Sequence, residues 1–203
     1  MKHFGGRIFT LALAIAALGL VVPQAQAQSH FPADKIQVSA STIEVMSPQQ
    51  QDVTLLSAQF RTSDPADLLI SVNAECALWT NVMSPMGEAD ARATTWVELD
   101  GNAVPVTSDP AKGGPDDGKV AFCNRVFRIE GGTDVELFLR TRAANEFTGG
   151  TLNVGNGIHT VVVKARLEAQ TQADAVGAAD AMAAVGKRTL VVEPEHLQNG
   201  ATI

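Results

Sequence analysis

From Ile158 to Leu167 the chain reads IHTVVVKARL. Residues two apart in a strand share a face. His159, Val161, Val163, Ala165 and Leu167 therefore line one side, and Ile158, Thr160, Val162, Lys164 and Arg166 the other. One side is mostly apolar and the other ends in two cations. That pattern belongs to a strand packed on one face and wetted on the other. The preceding Asn153-Val154-Gly155-Asn156-Gly157 supplies glycines for a tight entry. This strand is the expected spine of an antiparallel β-sheet protein.

The same alternation recurs along the chain. Lys35 to Val45 forms a first strand whose apolar parity changes near Ser41-Thr42, where a bulge or a switch of sheet is expected. Gln51 to Thr62 follows, with Leu56, Ala58 and Phe60 inward and Val53 and Leu55 on the opposite parity. Leu68 to Val82 alternates most cleanly, placing Cys76 inward and Trp79 outward. Met83 to Ala93 reads as a loop. Thr95 to Val106 reads as a hairpin about Asp100-Gly101, with Pro105 at a sheet edge. Thr107 to Gly118 is a second loop.

Lys119 to Glu130 is a strand with a bulge expected near Asn124-Arg125, since Arg125 shares the inward parity of Cys123. Val135 to Arg140 and a weak Glu146 to Val154 complete the run up to the spine strand. Glu168 to Gly186 is rich in alanine, which favours helix by propensity. Gly177 counts against helix and for a long hairpin returning through Lys187 to Val192. Glu193-Pro194 should stop that strand, leaving a loose tail to Ile203.

The N-terminus has the form of a secretory signal. Lys2 and Arg7 precede an apolar run from Ile8 to Val22, and Pro23-Gln24-Ala25-Gln26-Ala27 ends in Ala-x-Ala. Cleavage after Ala27 is expected, leaving residues 28–203 as one domain with no membrane anchor, secreted or periplasmic. Losing the leader moves the formal charge from −7 to about −9. That charge makes nucleic acid and anionic lipid poor partners. In an oxidising compartment Cys76 and Cys123 are expected to pair. A metal site is the sharper alternative, but neither cysteine has a nearby His or Cys at ligand spacing.

About nine short strands with turns between them and few helix signals indicate an all-β fold, an antiparallel β-sandwich. Leu152-x-Val154-Gly155-x-Gly157-x-His159-x-Val161-x-Val163-x-Ala165 resembles the entry into the penultimate strand of bacterial immunoglobulin-like and fibronectin type III-like domains. The resemblance covers about fourteen residues and implies an immunoglobulin-like strand order. At that corner the family carries an aromatic, usually tyrosine, bonded back to the upstream backbone. His159 takes the position here, as a structural corner residue. The family implies no single activity.

Other candidates are few. Asp109, Asp116 and Asp117 share a glycine-rich loop whose oxygens suit Ca²⁺, although the spacing is not that of an EF-hand. An acidic loop of this kind is more commonly just solvated. Trp79, Trp96 and Phe138 fall on outward parity and would suit a sugar ring or a partner, unless a loop or second layer covers them. The absence of tyrosine weakens such a platform. If every strand crosses the sandwich, the loops 83–94, 107–118 and 168–186 share one end, where binding sites concentrate. No phosphate-cradling loop, nucleophile elbow or zinc-protease motif occurs. The expected function is a secreted, non-enzymatic binding or structural module for an extracellular protein or glycan. The alternatives are a Ca²⁺-dependent carbohydrate-binding module, an extracellular enzyme with an unfamiliar site, and a spacer with no ligand.

Overall fold

The alternation of Leu68 to Val82 lies within an 18-residue strand, Ala66–Met83. The computed structural model describes residues 32–47, 51–106, 116–131 and 135–197. The leader with its Ala27 cleavage site, and Asp109, lie outside the described residues. The chain divides at His30, and everything below concerns the unit that starts at Phe31.

Ten strands form two antiparallel sheets with no helix among the described residues. They are β1 (Gln37–Ser41), β2 (Val45–Met46), β3 (Val53–Thr62), β4 (Ala66–Met83), β5 (Met86–Leu99), β6 (Asn102–Ala103), β7 (Val120–Glu130), β8 (Glu136–Val154), β9 (Gly157–Ala173) and β10 (Ala178–Glu195). One sheet has the order β1-β10-β4-β8, with β2 also on β10; the other runs β3-β9-β5, with β6 and β7 both on β5. Leu68, Ile70, Val72 and Leu78 of β4 meet Val161, Val163, Ala165 and Leu167 of β9 in a shared core with Leu190 and Val192 of β10. Each of these leucine, isoleucine and valine side chains contributes roughly 1.5–3 kcal/mol by leaving water. Exposed ion pairs contribute at most about 1 kcal/mol, so the inward faces hold the sandwich together.

The strand order corrects the immunoglobulin-like expectation. Without the two-residue β2 and β6, the sheets read first-eighth-third-sixth and second-seventh-fourth-fifth in chain order. Every connection then changes sheet except β5 to β7. That is a jelly-roll order. In the immunoglobulin order, consecutive strands such as F and G are neighbours in one sheet. Here β8, β9 and β10 alternate between sheets. A fourteen-residue likeness sets the face of one strand and says nothing of its neighbours.

Residues 86–93, expected as loop, belong to β5, and 178–186, where helix and hairpin compete in the sequence, belong to β10. Their inward positions are Ala89, Ala91 and Ala93 facing Ala183 and Val185, all fully buried. Small inward residues let the sheets approach closely: a Cβ on Gly87 would lie 2.7 Å from Val82 Cγ1. The segment 168–186 is therefore two strands joined by a turn at 174–177, and neither a helix nor a paired hairpin, because β9 and β10 lie in opposite sheets. Strand β10 also continues through Pro194 to Glu195. This is tolerated because β1 stops pairing at Val192, so Pro194 faces an open edge.

The turns sort by end. Ser84 donates to the Val135 carbonyl at 2.8 Å, Gly131 to Pro85 at 2.7 Å and Asp174 to Met86 at 3.3 Å, so the β4–β5, β7–β8 and β9–β10 turns share one end. The Asp100-Gly101, β3–β4 and β8–β9 turns occupy the other. The described part of the acidic loop packs beside Val104, near that second end. Of the loops 83–94, 107–118 and 168–186 expected at one pole, the turns of the first and last do share an end, while the described part of 107–118 lies near the other.

Candidate functional site

The second end is built around Asp100. Asp100 and Gly101 have φ of +49° and +83°, the signs a type I′ turn requires at both central positions. Asp-Gly meets that demand at little steric cost. The turn aims the Asp100 carboxylate back at β9. Its Oδ1 accepts the Thr160 N–H at 2.8 Å, and its Oδ2 lies 2.7 Å from His159 Nδ1. The other ring nitrogen, Nε2, lies 2.9 Å from the Gly155 carbonyl. The ring also packs on Phe60, centroids 5.3 Å apart. Each ring nitrogen therefore has an oxygen partner. His159 thus lies between the Gly155 carbonyl on one side and the Asp100 carboxylate on the other.

Burial pushes the Asp100 carboxyl up, but the bonds from His159 and the Thr160 N–H outweigh it and hold its pKa below the ordinary aspartate value. Two neighbouring carboxylates act alike. Asp67 accepts the N–H groups of Asn153 and Leu197, both at 2.9 Å, and these bonds lower its pKa. Asp34 accepts the Ser63 hydroxyl and, at 3.0 Å, the Ser63 N–H, which lower its own. Three acids therefore tie turns and chain ends together at this pole. The Thr62 hydroxyl donates to the Gly155 carbonyl at 2.6 Å, and that of Ser63 to Asp34. Neither hydroxyl bonds an imidazole nitrogen. Between the Asp100 turn and the β8–β9 turn runs an open groove of about 320 Å³, lined by Leu99, Asn102, Thr151, Leu152 and Asn153.

Cys76 on β4 and Cys123 on β7 form a disulfide between the two sheets. Their Cα atoms are 6.5 Å apart, within the range such a bridge spans. Asp116 accepts the N–H groups of Val106 at 2.7 Å and Gly118 at 3.0 Å; Asp117 accepts the N–H and ammonium of Lys119. Both carboxylates are engaged in shaping their loop. Among the described residues, no three His, Cys, Asp or Glu side chains converge as metal ligands.

The three aromatics do not form one platform. Trp96 lies on the β3-β9-β5 sheet, buried, with Nε1 donating to Glu98 at 3.0 Å. Trp79 and Phe138 lie on the outer face of the other sheet, and the Arg140 guanidinium stacks 5.2 Å from the Trp79 ring.

Two residues do more than their sequence positions signal. Asp100 reads in the sequence only as turn chemistry. Arg188 lies buried and donates to the carbonyls of Leu55 at 3.0 Å, Ile43 at 2.5 Å and Gly186 at 2.8 Å. Burial lowers its pKa. The guanidinium joins β10 to β3 of the opposite sheet and to the β1–β2 link. Its inward parity with Leu190 and Val192 was the available signal. No family model, no curated protein and no solved structure matches the chain.

Proposed function

We propose that this chain is an exported, non-catalytic β-sandwich that serves outside the cytoplasm as a binding or structural module. The observation that carries this reading is the state of His159. Its two ring nitrogens are both engaged, by Asp100 and by the Gly155 carbonyl, and its face rests on Phe60. A general base needs a nitrogen within reach of the proton it abstracts; this ring is committed to holding a turn and a strand entry together. The inter-sheet disulfide supports an oxidising compartment, in keeping with the leader sequence. The groove beside the Asp100 turn is the surface that suits a ligand.

The test is His159→Gln in the exported protein, followed by thermal melting and by turnover of glycosidic, ester and peptide substrates. The variant is expected to melt lower, with no turnover by either form. Turnover by the parent that is lost in a variant melting like the parent would overturn the reading.

A further inference from the structure

Strand β8 is a sheet edge. It pairs with β4 on one side and with no strand on the other among the described residues. It is 19 residues long, against 5 for β1 and 11 for β7 at comparable edges. The edge of β3 is partly occupied, because Ala33 bridges Arg61. Exposed edges of such length are normally blunted, because their unpaired N–H and C=O groups recruit another strand.

The open part of β8 is bounded. Gly149 and Gly150 are buried, with Pro105 close above Gly149, so the open edge ends at Thr148. The window 138–148 of that edge is centred on Ala143. A two-fold axis through Ala143 lays this window antiparallel on itself.

In that register the facing pairs are complementary. Arg140 meets Glu146 of the second copy, and Phe138 meets Thr148. On the opposite face Leu139 meets Phe147, and Thr141 meets Asn145. Arg140 and Glu146 make no ion pair among the described residues, whereas Arg142 is already matched by Glu44 and Glu75. Phe138 is 59 % exposed and Leu139 36 %.

We propose that this face is a self-association surface: β8 pairs antiparallel with β8 of a second copy about Ala143, joining two sandwiches edge to edge. The pairing deepens the structural-module reading but rests on the β8 edge alone. Its failure would show in association, and failure of the parent reading in turnover.

The test is sedimentation equilibrium of the exported protein and its variants, with circular dichroism to confirm folding. The parent is expected to dimerise reversibly. Arg140→Glu and Glu146→Arg should each weaken association at least ~tenfold by setting like charges opposite, and the two together should restore it. An added Ala143→Cys should oxidise to a linked dimer, while Thr148→Cys, which faces Phe138, should not. A monomer at every concentration, a dimer indifferent to either charge reversal, a double reversal without recovery, or equal cross-linking at the two cysteines would each overturn the pairing. So would a monomer whose β8 edge binds only a foreign strand.

Discussion

Replacing Cys76 and Cys123 together by alanine should cost about 4 kcal/mol, on the loop-entropy model for a bridge closing 47 residues. Domains of this kind have only about 5–15 kcal/mol in total, so the loss is a large part of what holds the fold. The bridge matters more here than loop length alone suggests. Among the described residues strand β7 has a partner strand, β5, on one side only, and the disulfide ties it to β4 in the opposite sheet. Equilibrium unfolding in urea measures the effect. At a slope of ~2 kcal/mol per molar, the midpoint should fall by about 2 M, and reductant added to the parent should reproduce that fall. The amides of β7 should lose hydrogen-exchange protection before those of β4. A variant with the parent's midpoint would refute the entropy argument, and equal loss of protection in both strands would refute the tethering of β7.

Arg188→Met should destabilise the fold by roughly 3 kcal/mol, because three carbonyls lose a charged donor in a buried place; chemical denaturation checks this, and parent-like stability would show that the guanidinium's burial cancels its bonds. Asp100→Asn keeps a side chain that tolerates positive φ but removes a carboxylate whose folded pKa is lowered. Unfolded aspartates titrate near ~4. Below that the unfolded state holds more protons, so the carboxylate's stabilisation is complete above the window and is lost as pH falls through the folded pKa. The gap in melting temperature between variant and parent should narrow as pH is lowered, and a gap constant with pH would contradict the assignment.

Much of the fold was legible where alternation was carried by large side chains. Leu68 to Val82 and Ile158 to Leu167 name their inward faces unaided. The mixed parity of Val53, Leu55 and Leu56 also had a physical meaning, a register shift between Thr54 and Leu56 that buries both leucines. The bulge expected near Asn124-Arg125 lies at Phe122 instead, opposite Ala93 and Thr94. Alanine hid the rest. Ala89, Ala91, Ala93 and Ala183 alternate as faithfully as valines, but alanine has low strand propensity and reads as helix or loop. Only the close approach of two sheets gives that small face its purpose. The candidate site was half legible. His159 and the Asp100-Gly101 turn were each visible, but joining them requires β5 and β9 to be neighbours, which is a matter of topology.

An exported, disulfide-bridged sandwich, as proposed above, has a defined mass. The most direct measurement is the intact mass of the protein recovered from outside the cytoplasm, unfolded and treated with a thiol-alkylating reagent without reduction. The expected mass is that of residues 28–203 less two hydrogens, with no alkyl group added. A mass for residues 1–203 carrying two alkyl groups would contradict it.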